Sequence, residues 1–353
     1  MKSKKCTRII GILMALTICA GTAGCGIAGP DKDSLTTTEH TSESTTTSAP
    51  DLTISGTTQD NTANVAAQVT GIAAQPATTM PSAIEKGKAD PNAKTFTGLL
   101  PLPARPVAIS DSANSKNLPL TKIEHSYGAA KNGVVHDISK GHQAFFDEKN
   151  YAAVCNDNKS TEKVLYLTFD CGYENGNTAI ILDVLKEKQV PAAFFCTVDE
   201  MRGAPEIVAR MINEGHIVGN HSVTHPHFSA ISREKMTQEI IEADNYLRQN
   251  FGYSAPFFRF PYGEYNESAL DAVASLGFTS VFWSAAYRDW VEAEQQGAQY
   301  ACDMVTSRIH PGCVLLLHSV SGDNAQAMDR IVDQARADGY VFRHLTTLPS
   351  FRP

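Results

Sequence analysis

From residue 163 onward the chain alternates between short β-branched or aromatic runs and segments whose apolar residues recur with helical period. The pattern predicts strands over 164–169, 192–197, 216–219, 257–259, 279–283, 314–317 and 340–342. Between them it predicts helices over 178–188, 205–214, 233–250, 268–276, 298–309 and 324–338, with Gly215, Gly277 and Gly339 as stops. Repeated strand–helix units imply parallel strands joined by right-handed crossovers. No Gly-rich dinucleotide fingerprint follows the first strand, which disfavours a nucleotide-binding doubly wound sheet. The expected fold is α/β, a distorted (β/α) barrel with seven or eight parallel strands.

Upstream the pattern is different. Lys2, Lys4, Lys5 and Arg8 precede an apolar run over 9–20 that is too short to span a bilayer, so residues 1–24 read as an export signal. Thr22-Ala23-Gly24-Cys25 resembles a bacterial lipobox, with Thr22 where a bulky aliphatic residue is usual. Cys25 is the candidate lipid anchor, and the alternative is a secreted protein cleaved near Ala23. Residues 31–80 hold 14 Thr and 5 Ser and no aromatic residue. Such a segment cannot bury enough apolar surface to offset its ordering entropy. Residues 25–95 therefore read as a disordered tether with a span on the order of 45 Å. A Pro-rich run over 100–106 closes it, within an N-terminal extension over 96–162, and the catalytic domain is expected over 163–353.

Composition narrows the function. The 353 residues carry 30 Lys+Arg against 38 Asp+Glu, a formal net charge of −8, which argues against a nucleic-acid partner. Outside the leader there is no apolar run of the ~18 residues a spanning helix requires, so membrane contact is expected through the lipid anchor alone. The expected location is the outer face of a bacterial cytoplasmic membrane, and the expected state a monomer. Beyond the leader and Cys25, five irregularly spaced cysteines remain: Cys155, Cys171, Cys196, Cys302 and Cys313. That is not a disulfide framework, although one bridge stays open.

The placement of reactive side chains adds more. Asp170 follows the first predicted strand, His221 and His225 the third, Arg259 ends the fourth, Asp289 lies after the fifth, and His318 ends the sixth. All lie at strand carboxyl ends, the face on which barrel enzymes assemble their sites. Each alone is weak. Two imidazoles four residues apart can reach one cation, but such pairs also arise by accident. A His ending Leu315-Leu316-Leu317-His318 is often only a strand cap, and His227 and His310 read as surface or supporting groups.

Together, Thr168-Phe169-Asp170, His221-xxx-His225, Arg259-Phe260-Pro261-Tyr262-Gly263, Asp289-Trp290 and Leu315-Leu316-Leu317-His318 resemble, in order and spacing, the motifs of the polysaccharide deacetylase (NodB-homology) family. The resemblance covers roughly residues 163–350. Gly172-Tyr173-Glu174-Asn175-Gly176, Phe282-Trp283-Ser284 and Asp323-Asn324-Ala325 resemble a narrower branch, the delta-lactam-forming de-N-acetylases of spore cortex peptidoglycan. The resemblance implies a NodB-like barrel and a hydrolase that removes N-acetyl groups from peptidoglycan, at N-acetylmuramic acid. It implies a divalent metal, zinc first, on His221 and His225, with Asp170 as base held by Arg259. It further implies His318 as acid tuned by Asp289 and the Tyr262 backbone N–H at the oxyanion. Trp290 is a candidate wall for the sugar ring, with a core role equally open. The family usually has a second aspartate where this chain has Cys171, so a thiolate ligand and a water-completed site both stay open. The rival expectations are a deacetylase of another glycan (peptidoglycan N-acetylglucosamine, chitin-like oligomers or acetylxylan) and a non-catalytic glycan-binding lipoprotein.

Overall fold

The computed structural model describes residues 104–106, 108–349 and 351. The expected export signal and tether, and Cys25 with them, lie outside the described residues. In chain order the elements are β1 (Ile123–Glu124), α1 (Asp137–Glu148), β2 (Ala153–Val154), β3 (Val164–Cys171), α2 (Asn177–Lys188) and β4 (Ala192–Cys196). Next come α3 (Val198–Gly203), α4 (Pro205–Asn213), β5 (Ile217–Asn220), α5 (Arg233–Phe251), β6 (Phe257–Phe258) and β7 (Glu264–Tyr265). The remainder are α6 (Glu267–Ser275), β8 (Thr279–Val281), α7 (Ala298–Thr306), β9 (Cys313–His318), α8 (Gly322–Ala337) and β10 (Val341–Phe342).

Eight strands form one sheet in the order β10-β3-β4-β5-β6-β8-β2, with β9 also paired to β3. Every pairing between its strands is parallel. The segment after β8 curls the sheet into a barrel. Phe282 donates its N–H to Val154 of β2 at 2.7 Å, and Ser284 donates its own to Val314 of β9 at 2.9 Å. Leu316 then donates back to Ala285 at 2.9 Å. β3 runs through the middle and is buried on both faces except at Asp170, as parallel strands covered on both sides require. Helices start where side chains cap them: Ser232 accepts from Lys235 N–H before α5, Asn266 from Ala269 before α6, and Ser321 from Asn324 before α8.

The predicted strand–helix alternation is present in every unit, with ends shifted by a few residues. The eighth strand is β2, which joins the sheet beside β8 from residues expected in the extension. That extension is stitched onto the barrel. Gln143 of α1 accepts the N–H groups of Cys155 and Asn156 at 2.9 and 3.2 Å. Phe146 is fully buried and stacks on Phe282, with ring centroids 5.3 Å apart. The short helix α3 was not predicted, although Thr197 and Glu200 stand in capping-box order and Thr197 Oγ1 accepts the Glu200 N–H at 3.2 Å. Six residues are too few to display a helical period. All five cysteines among the described residues are buried free thiols, so none of them is bridged.

Candidate active site

The carboxyl ends of β3, β5, β6 and β9 converge on Asp170. Alternation along β3 puts the side chains of Thr168 and Asp170 on one face and Cys171 on the other. Arg259, directly after β6, is fully buried beneath them. Its Nη1 donates to Asp170 Oδ1 at 2.8 Å, its Nη2 to Thr168 Oγ1 at 2.9 Å and its Nε to the Val281 carbonyl at 2.9 Å. The guanidinium carbon lies 4.2 Å from the centre of the Phe195 ring, so the cation is packed as well as hydrogen-bonded. Burial alone would raise the Asp170 pKa, but Arg259 first, then His221 and His318, outweigh it and hold the carboxyl below its ordinary value. Asp170 is thus a preformed anion at a site that is 11% exposed.

His221 follows β5 and is 3% exposed. Its Nδ1 lies 2.9 Å from the Arg259 carbonyl. A carbonyl only accepts, so Nδ1 carries the hydrogen and the neutral ring keeps its lone pair on Nε2, 3.6 Å from Asp170 Oδ2. The His225 ring stands edge-on to it, centroids 4.8 Å apart. The loop achieves this in four residues by placing Ser222 (φ 71°) and His225 (φ 54°) in the left-handed region. Glu239 of α5 fastens the loop. Its Oε2 accepts the N–H groups of Val223 and Thr224 at 3.0 and 2.8 Å, and its Oε1 accepts the Thr224 hydroxyl at 2.9 Å.

On the opposite wall, His318 ends β9 in register with Asp170 of β3. Asp289 Oδ1 accepts from His318 Nδ1 at 2.7 Å and Oδ2 accepts the His318 backbone N–H at 2.8 Å. Asn324 Nδ2 donates to Oδ2 of the same carboxylate at 2.6 Å, and Tyr287 donates its hydroxyl to Asn324 Oδ1, also at 2.6 Å. Burial by itself would lower the His318 pKa, but Asp289, with a smaller push from Asp170, leaves it above the ordinary imidazole value. The sign gives a test. In Asp289→Asn the larger of the two raising charges is gone and burial outweighs the smaller push from Asp170, so the imidazolium loses its proton at lower pH. The alkaline limb of the kcat/KM profile is expected to move to lower pH, and an unmoved limb would assign that limb to another group.

Two aromatic side chains edge the site. Trp290 is 49% exposed with its ring 5.2 Å from that of His318, so it lies at the edge of the site and not in the core. Tyr262 is 56% exposed and takes φ 59° and ψ 0°. Its ring stacks on His227 at 4.3 Å and meets His225 edge-on at 4.6 Å. His227 therefore supports the Tyr262 ring while pairing with Glu264 at 2.8 Å. His310 is fully buried, its Nε2 lying 2.9 Å from Ser284 Oγ, and it belongs to the β9 framework.

Residues 157–281 match the family model described as polysaccharide deacetylase. A protein of Geobacillus stearothermophilus described only as an uncharacterized 30.6 kDa protein is 43% identical over 189 residues, covering 53% of this chain and 71% of that protein. The peptidoglycan-N-acetylmuramic acid deacetylase PdaA of Bacillus subtilis is 39% identical over 188 residues, covering 53% of this chain and 72% of PdaA. The chain belongs to the polysaccharide deacetylase family. The solved structure of Bacillus subtilis PdaA, described as a family 4 carbohydrate esterase, superposes with a TM-score of 0.62 at 35% identity. That superposition covers 65% of this chain and 98% of PdaA.

Polysaccharide deacetylases of this family depend on a metal in general, and the donors present fit one in a particular way. Among the described residues no three His, Cys, Asp or Glu side chains are placed to hold an ion together. What is offered is the pair of imidazoles, with His221 Nε2 left bare by the Nδ1 bond to Arg259. Cys171 is turned away: it is fully buried, its Sγ accepts the Ser319 hydroxyl at 3.3 Å, and burial pushes its thiol pKa up. Cys171→Ala is accordingly expected to keep its metal content, as measured by elemental analysis, and loss of metal with an intact fold would restore the thiolate alternative. Glu239→Ala frees the loop N–H groups that aim the two rings. Outer-shell losses of this kind typically cost about 10- to 100-fold in metal affinity, which calorimetric titration with zinc measures.

Asp170, Arg259, His221, His225, Asp289 and His318 were all legible as candidates, and they meet. Glu239 and Tyr287 were missed because neither carries a motif of its own. Asn324 stood in a motif but had no assigned contact.

Proposed function

We propose that the protein removes N-acetyl groups from peptidoglycan, acting on N-acetylmuramic acid residues as its relative PdaA is named for. The reading rests foremost on one arrangement. A carboxylate held below its ordinary pKa and an imidazole held above its own sit in register on β3 and β9, with two convergent imidazoles beside the carboxylate. Paired groups whose surroundings push their pKa values apart are what a base and an acid acting in one reaction require.

His221 and His225 would hold a divalent cation, zinc being one that imidazole suits, and it would supply Lewis-acid polarisation of the acetamide carbonyl and a more acidic water. Asp170, ionised and oriented by Arg259, accepts the proton of the attacking water. The Tyr262 backbone N–H donates to the oxyanion of the tetrahedral carbon, a contact typically worth about 3–4 kcal/mol. His318, protonated on Nε2 and steadied through Nδ1 by Asp289, gives its proton to the sugar nitrogen as the C–N bond breaks. Acetate and a free amine leave. Trp290 presents its face to the sugar. The lipobox and tether read from the sequence support a domain held outside the cytoplasmic membrane, where peptidoglycan is within reach.

The test is acetate release from purified peptidoglycan by the zinc-loaded protein, matched against newly formed free amines. Release is expected to stop on chelation and return with zinc. Intact peptidoglycan that yields no acetate would sink the proposal.

A further inference from the structure

The Tyr262–Gly263 turn is strained and needs holding. An aromatic residue at φ 59° is in a sparsely populated backbone region and persists only where the surroundings over-determine it. Gly263 follows at φ 67°, and a Cβ there would lie 2.8 Å from the Trp283 ring and 3.3 Å from the His125 Cβ. The turn therefore rests directly on those two residues. Its own hydrogen bond, Gly263 N–H to the Phe260 carbonyl at 3.0 Å, closes one side. The other side is closed by the strand β1, upstream of the barrel strands. Ile123 and Glu124 pair antiparallel with Tyr265 and Glu264, and the His125 N–H donates to the Gly263 carbonyl at 2.9 Å.

His125 does more than extend this ladder. It is 7% exposed, and its Nε2 lies 2.7 Å from the Trp283 carbonyl, so Nε2 carries the hydrogen. Its ring packs against those of His142, Phe282 and Trp283 at 4.6, 4.8 and 5.0 Å. One residue thus joins the floor of the turn to the backbone that follows Tyr262, its side chain held at the Trp283 carbonyl and its main-chain N–H at the Gly263 carbonyl. Burial drives its pKa down to about 3, so the ring is a neutral donor across the working range. Its Nδ1 is buried with no partner, and an unmade hydrogen bond of that kind has a cost. Packing alone would be met as well by an apolar residue.

We infer that His125 is a positioning residue for catalysis, fixing the Tyr262–Gly263 backbone so that the Tyr262 N–H faces the reacting carbonyl. The inference rests on the deacetylase reading for its catalytic half only. Its structural half, control of the turn, stands independently.

The experiment compares His125→Leu and His125→Gln in the full chain, by amide hydrogen exchange over residues 260–265 and by steady-state kinetics on peptidoglycan fragments. Leu fills the space without a donor, whereas Gln returns an N–H near the Trp283 carbonyl. In His125→Leu, exchange at the Gly263 amide, which is bonded to the Phe260 carbonyl, is expected to rise while the barrel strands stay protected. kcat is expected to fall about 10- to 100-fold with KM little changed, as for a misplaced oxyanion donor. His125→Gln should restore both. Unchanged exchange over the turn in a folded Leu variant overturns the positioning role. Raised exchange with unchanged kcat overturns its catalytic half. If wild type releases no acetate, the deacetylase reading and the catalytic half fall together, and the exchange data still decide what holds the turn.

Discussion

Asp170→Asn is expected to reduce deacetylation by at least about a hundredfold, and by up to about ten-thousandfold if proton removal from water limits the rate. The amide keeps the shape of the carboxylate and can still accept from Arg259 Nη1, but at working pH it cannot take up a proton. The fold should survive with a lowered melting temperature: the buried Arg259 loses its counter-charge but retains the substituted amide oxygen, Thr168 Oγ1 and the carbonyls of Val281 and Phe282 as acceptors. Loss of activity with a cooperative melting transition retained at a lower temperature, followed by circular dichroism, is the expected pair of results. A variant that turns over at near wild-type rate would remove Asp170 from the role of base.

Arg259→Met should harm both stability and rate. It removes the counter-charge of a nearly buried carboxylate and four hydrogen bonds at once. Breaking a buried pair by deleting one partner typically costs about 3–5 kcal/mol, because the other charge is left uncompensated. Urea unfolding measures this, and the double variant Asp170→Asn with Arg259→Met should recover part of the loss, since no charge is then stranded. The pH dependence has a definite sign. Asp170 is held below its ordinary pKa, so the pair stabilises the fold fully above the unfolded carboxyl value, and that contribution disappears as pH falls through the folded value. In Arg259→Met the acid limb of the rate profile should move upward, toward the value burial alone would set.

How much of this was legible in the sequence depended on how local the signal was. β3 could be read because seven of its eight residues are buried, so the run Val164-Leu165-Tyr166-Leu167-Thr168-Phe169 is nearly continuous in apolar character. The candidate residues could be read because the carboxyl end of each strand is marked by the strand itself. Ala153–Val154 could not, since two small residues carry no alternation and their partner is 127 positions away at Ser280 and Val281. Glu239 looked like any charge on an amphipathic helix, where Glu239 and Lys235 are one turn apart and also bond each other at 3.0 Å. Two of the three bonds in its grip on the histidine loop are to backbone N–H groups, which leave no trace in residue identity. Cys171 was ambiguous in sequence because the motif fixes its position but not its face. The alternation of β3 settles that, with Asp170 toward Arg259 and Cys171 toward Ser319.

The substrate claim is tested most directly by tandem mass spectrometry of muropeptides released from peptidoglycan after incubation with the zinc-loaded domain. The expected result is a product lighter by one acetyl-for-hydrogen exchange, with fragment ions placing the change on muramic acid and leaving N-acetylglucosamine intact. The product should be absent from a parallel digestion with Asp170→Asn. Fragments carrying the loss on glucosamine, or no loss on either sugar, would contradict the account.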